Sequence, residues 1–93
     1  MINLFQKTSG EINRTIAQNI VSLRKRKKLS QKELALKSGV SYGSIRRFET
    51  EGEISLSSLT KIAIALGVSD ELEELFIDVP FDSIQEVIDG QSK

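Results

Sequence analysis

The 93-residue chain has no cysteine, no histidine, no tryptophan and only one proline. Without cysteine it forms no disulfide, thiolate metal site or cysteine nucleophile. Without histidine it also lacks the commonest metal ligand and the commonest general base. Catalysis would fall to Asp, Glu, Ser, Tyr or Lys in a cleft, and a chain this short builds one small core with no room for a separate catalytic domain. The expectation is a protein that is not an enzyme and uses neither cofactor nor metal. Aromatic residues make up only 5% of a chain that is 39% hydrophobic, so Ile, Leu, Val and Ala must supply the core. No apolar run is long enough to span a bilayer. Met1–Gln6 is brief and lacks a basic start, which argues against a signal peptide. The cysteine-free composition is compatible with a reducing cytoplasm, the expected location.

An excess of either charge is missing too: 13 Lys and Arg balance 13 Asp and Glu. Neutrality alone argues against nucleic acid, whose binding domains are often basic. The distribution reverses that reading. Met1–Gly52 has eleven Lys and Arg against four Asp and Glu, a balance of +7, whereas Glu53–Lys93 has two against nine, a balance of −7. One half is suited to a polyanion and the other to a different partner.

Helical periodicity runs through the chain. Thr8 and Glu11 form a candidate capping box, opening a helix near Ser9–Ile12. Ile12, Ile16, Ile20 and Leu23 continue it as an amphipathic stripe ending near Lys27. Its last turn holds Arg24, Lys25, Arg26, Lys27 and Lys28, cations that suit the negative end of a helix dipole. Further along, Leu56, Leu59, Ala63 and Leu66 mark a fourth helix closed by Gly67. Ser69 is the expected cap of a fifth, with Asp70, Glu71, Glu73 and Glu74 at its positive end and Leu72, Leu75 and Phe76 as its apolar face. Beyond Pro80, the spacing of Ile84, Val87 and Ile88 suggests a short amphipathic helix ending at Gly90. The expected organisation is an N-terminal arm over 1–10, a helical domain over 11–77 and an acidic tail over 78–93.

The segment Ser30–Glu49 is the most informative. Ser30 and Glu33 form an S-x-x-E capping box, so helix 2 should start at Gln31. Leu34 and Ala35 give it an apolar face, and Gly39 falls where a left-handed residue is needed. Ser41 can cap helix 3, on which Ile45 and Phe48 lie at i and i+3. Two short helices joined by a tight turn have the shape that places one of them in the major groove of DNA.

The segment Ile20–Phe76 resembles the phage-repressor-like helix-turn-helix family of the Cro or Xre type. The likeness rests on Ile20-x-x-Leu23-Arg24, Leu29-Ser30-Gln31-x-x-Leu34-Ala35, Gly39-Val40-Ser41, Ile45-x-x-Phe48-Glu49 and Leu59-x-x-Ile62-Ala63-x-x-Leu66-Gly67-Val68. It implies an all-α, five-helix lambda-repressor-like domain, with helices 2 and 3 as the helix-turn-helix and a short C-terminal appendage. It also implies a homodimer on double-stranded DNA. By position, Ser41, Tyr42, Gly43 and Arg47 are the implied base contacts. Gln31, Lys32, Ser44, Arg46, Ser55 and Ser57 are the implied phosphate contacts. Arg24 and Glu49 match a structural pair joining helix 1 to the end of helix 3. The sequence departs from the pattern at Gly43, inside the recognition helix, and at Glu51 and Glu53, acids in a connection that is often basic in DNA-binding relatives.

The leading expectation is a sequence-specific DNA-binding regulator, a repressor with helix 41–49 in the major groove. A second reading makes it the antitoxin of a toxin–antitoxin pair, its acidic C-terminal region gripping a toxin. A third makes it a protein-interaction module that keeps the fold without DNA binding. A hard-cation site at Asp70, Glu71, Glu73 and Glu74 lacks calcium-loop spacing, and dipole stabilisation explains those acids more simply.

Overall fold

Among the described residues, four of the five helices begin where a Ser or Thr side chain supplies a partner for an otherwise unpaired backbone N–H. The structure, a computed structural model, describes residues 6–77. These residues form α1 (Ser9–Arg26), α2 (Gln31–Ser38), α3 (Tyr42–Glu51), α4 (Leu56–Leu66) and α5 (Ser69–Glu73). In α2 the expected capping box is complete. The Glu33 N–H donates to Ser30 Oγ at 3.0 Å, and the Ser30 N–H donates to the Glu33 carboxylate, also at 3.0 Å. At α1 only half of the box forms: the Glu11 N–H donates to Thr8 Oγ1, while the Glu11 carboxylate accepts from the Thr8 hydroxyl instead of its backbone. Ser9 and Gly10, the inner end of the expected arm, are the first two residues of α1.

Gly39 closes α2 with φ of 77°, its N–H donating to the Ala35 carbonyl at 2.9 Å. This turn sets α2 against α3, and both pack into one core with α1 and α4. Leu34, Ile45, Phe48, Ile62 and Leu66 are its largest buried side chains, closed by Ala17, Val40 and Ala63. Ile20, Leu23, Leu29 and Leu59 line its margin. Burying a large aliphatic side chain stabilises a fold by roughly 1.5–3 kcal/mol, so these few residues dominate its apolar stabilisation.

The stripe expected on α1 is only half used. Ile20 and Leu23 pack against the core, but Ile12 and Ile16 remain 47% and 42% exposed. The end of α3 does reach this part of α1, at Asn13 and Arg14, but Ile16 lines two open grooves, one between α1, α4 and α5 and one beside Gly52 and Ile54. Leu56, expected on the inner face of α4, is 70% exposed at the first residue of that helix.

Helix α5 also differs from expectation. Its cap position is Val68, with no side-chain cap, and Ser69 is already helical. The Val68 N–H donates back to the Ala63 carbonyl at 2.9 Å, closing α4, while its own carbonyl accepts from Glu71 at 3.1 Å, opening α5. One residue thus serves both helix ends and leaves no extended position for Ser69 to cap. Leu72 is half-buried, but Leu75 and Phe76 are exposed. Helix α5 ends at Glu73, and Phe76 has φ of 66°, so the expected i, i+3, i+4 face is never assembled. The expected helix around Ile84, Val87 and Ile88, and the acidic tail assigned to a toxin, lie outside the described residues, as do Met1–Phe5 of the arm.

Candidate nucleic-acid interface

Ile45 and Phe48 are buried on one side of α3, which turns the residues between them outward. Tyr42, Gly43, Arg46 and Arg47, at i, i+1, i+4 and i+5, therefore share an exposed face. Ser41 and Ser44 lie at its N-terminal edge, where the Ser44 N–H donates to Ser41 Oγ at 3.1 Å and the Ser41 hydroxyl donates to Ser44 Oγ at 2.8 Å. Ser41 is thus a helix cap as well as a base-contact candidate. A Cβ built on Gly43 meets nothing within 4 Å, so this glycine leaves open space on the outer face and fills no packing need.

Lys32 of α2 joins this face across the turn. Its Nζ lies 5.5 Å from the centroid of the Tyr42 ring, and the Arg46 guanidinium lies 5.6 Å from the same ring. Both distances fit cation–π attraction. One aromatic ring thereby gathers a cation from each helix of the pair, and both are phosphate-contact candidates.

Arg47 has different neighbours. Its Nε donates to Glu51 at 3.1 Å and its Nη2 donates to Glu53. These are the two acids that the sequence put in the connection after helix 3. The hydrogen bond to Glu53, followed by that to Glu51, pushes the guanidinium's pKa up from its ordinary value. Glu51, expected in the connection after helix 3, is instead the last residue of α3, which puts it one helical turn from Arg47. Glu53 reaches Arg47 only after the chain reverses at Gly52.

Gly52 is the other position where backbone freedom matters. Its φ is 77°, and a Cβ there would lie 3.1 Å from the backbone of Asn13 and Arg14 in α1. Only glycine permits both this turn and this contact. The turn leads to an open cleft of about 410 Å³ between α3 and the start of α4, lined by Ser44, Arg47, Glu53, Ile54, Ser55 and Ser58. Ser55 caps α4 there by accepting from the Ser58 N–H at 3.1 Å. Ser57 is exposed but does not line this cleft. Ser58, which sequence reasoning did not single out, does.

Behind the exposed face, Arg24 and Glu49 form the expected pair. Arg24 Nε and Nη2 donate to the two Glu49 oxygens at 2.8 and 2.9 Å, and Nη1 donates to the Leu29 carbonyl at 2.8 Å. Both side chains are more than nine-tenths buried. Gln31 joins them, its Nε2 donating to Glu49 at 2.9 Å. The phosphate-contact candidate at the start of α2 is thereby also a third member of the structural network. It ties α2 to α1 and α3.

Among the described residues no helix is long and apolar enough to cross a membrane, and no group of three or more His, Cys, Asp or Glu is placed to hold a metal ion. No curated protein and no solved structure matches the chain. A family model described as helix-turn-helix matches residues 20–72, more than half of the sequence, and spans the last seven residues of α1, all of α2, α3 and α4, and all but the last residue of α5. The chain therefore belongs to the helix-turn-helix family of the phage-repressor (Cro-type or Xre-type) kind, a family of DNA-binding regulators.

Proposed function

We propose that this protein is a sequence-specific repressor that lays α3 in the major groove of double-stranded DNA and acts as a homodimer on two half-sites. The outward face of α3 carries the proposal: Tyr42, Gly43, Arg46 and Arg47 are exposed together while Ile45 and Phe48 hold the helix to the core. Ser41, Tyr42, Gly43 and Arg47 face base edges in this reading. Arg47 is the principal reader, since a guanidinium can engage O6 and N7 of guanine together. Lys32 and Arg46, gathered on the Tyr42 ring, take flanking phosphates with Gln31, Ser44, Ser55 and Ser57.

A homodimer is supported by apolar surface away from α3. Ile16, Leu23, Leu59, Val68, Leu72 and Leu75 line a groove of about 490 Å³ between α1, α4 and α5. Two copies would place their recognition helices about 34 Å apart, one turn of B-DNA.

Selection from random duplexes, with mass measurement of the resulting complex, tests the proposal. The expected result is a two-fold symmetric motif with two chains per duplex. Enrichment of no sequence, with no salt-dependent binding to any duplex, would sink it and favour an interaction module that keeps the fold alone.

A further inference from the structure

Arg24 and Arg47 present the same edge to their partners. Arg24 offers Nε and Nη2 to the two oxygens of Glu49, and Arg47 offers Nε and Nη2 to Glu51 and Glu53. The first arrangement is buried, whereas the second has side chains 65%, 57% and 58% exposed for Arg47, Glu51 and Glu53. An exposed fork held by acids can exchange partners with solvent and with DNA. It is also the planar edge a guanidinium uses for bidentate recognition.

We propose that Glu51 and Glu53 form a carboxylate clamp on Arg47 that sets the specificity of DNA binding by suppressing contacts to backbone phosphate. The clamp rests on the reading of α3 as the recognition helix. With the clamp closed, the three side chains together have a charge of −1 where a bare arginine would have +1. A phosphate that takes Arg47 exchanges one anionic partner for another and brings two released carboxylates close to its own charge. Guanine offers O6 and N7, neutral acceptors matched to the same edge. The released acids therefore oppose non-specific binding more than they oppose the correct base pair. This is discrimination by a repulsive element built into the reader itself.

Geometry limits the clamp to these residues. Glu51 is one turn beyond Arg47 on the same helix, and Glu53 returns to it because Gly52 reverses the chain between them. The other cations of the surface, Lys32 and Arg46, are gathered on Tyr42 instead. The clamp accordingly acts on the proposed base reader and leaves those phosphate contacts available.

The test compares the full chain with E51Q/E53Q, R47A and the triple variant on the selected operator and on a random-sequence duplex across salt. In the DNA-free protein, the NMR signal of the Arg47 Nε–H is followed in parallel. The clamp predicts that E51Q/E53Q tightens binding to the random duplex by about three- to tenfold, with a smaller gain on the operator. The random-duplex salt slope should steepen by about 0.9, one additional phosphate neutralised. Both effects should vanish in the R47A background, and the Arg47 Nε–H signal should shift in E51Q/E53Q without DNA. An equal gain with R47A present would show the acids to be general repulsive charges, and an unmoved Nε–H signal would show that they do not hold Arg47. Either result overturns the clamp. Wild-type binding with no glutamine effect overturns the clamp alone, while no binding by any of the chains removes the recognition-helix reading and the clamp with it.

Discussion

At the scale of single residues, neighbouring atoms decide what each glycine and arginine is for. Gly43 and Gly52 lie nine positions apart at opposite ends of α3 and should respond oppositely to alanine. Gly43 has helical backbone and open space around it, so G43A should stabilise the fold by about 0.5–1 kcal/mol in chemical denaturation. Gly52 combines positive φ with backbone of α1 at 3.1 Å, so G52A should destabilise it by about 2 kcal/mol or more. Equal effects from the two substitutions would contradict this assignment. Arg47→Ala should weaken operator binding by about 1–3 kcal/mol and relax preference at one base pair, read from competition among operator variants. Only the arginine as a candidate reader was legible in the sequence. Its hold by Glu53 was not, because that contact depends on the turn at Gly52.

At the scale of elements, ion pairs and caps orient the helices. The Arg24–Glu49–Gln31 network joins three helices through one buried carboxylate. Glu49→Ala leaves a buried guanidinium without its partner and should lower stability by about 3–5 kcal/mol, measured by denaturation. Replacing Arg24 and Glu49 together with apolar residues should be less damaging than removing either one. The cap of α2 gives a pH prediction. The backbone N–H of Ser30, followed by its hydroxyl, holds the Glu33 carboxyl below its ordinary pKa. A lowered folded-state pKa means that the contribution is fully present above the unfolded carboxyl pKa and disappears as pH falls through the folded one. Thermal melts from neutral to acid pH should show wild type losing stability relative to E33Q over that carboxylate window. Parallel curves would remove Glu33 from the acid response.

For the whole molecule, the neutral total hides a division of labour. The basic first half folds into α1, α2 and α3, and the acids of the second half start with Glu53, which joins Glu51 in holding Arg47. Binding should weaken with salt because each neutralised phosphate releases counterions. Lys32→Ala should reduce the slope of log affinity against log salt by about 1 and weaken binding uniformly across sequences. A change confined to one base position would instead make Lys32 a reader. The core shows the same mixture of legible and hidden features. Ile45 and Phe48 were identifiable from their spacing, whereas the exposure of Ile12, Ile16 and Phe76 was not. Periodicity gives a helix its apolar side but does not say which residues on that side a neighbouring helix covers.

The sequence by itself determined the helix boundaries at Ser30, Gly39, Ser41 and Gly67, the buried faces of α2 and α3, and membership in the helix-turn-helix family. The boundaries and buried faces depend on residues within one turn of each other, where capping, spacing and backbone preference act directly, and family membership on the order of those local patterns along residues 20–72. Tertiary structure alone decided that Gln31 joins the Arg24–Glu49 pair, that Lys32 meets the Tyr42 ring, and that Glu53 meets Arg47. Those contacts unite side chains from different helices or across a chain reversal. Their distances are set by how the helices pack, and local residue patterns do not encode that geometry.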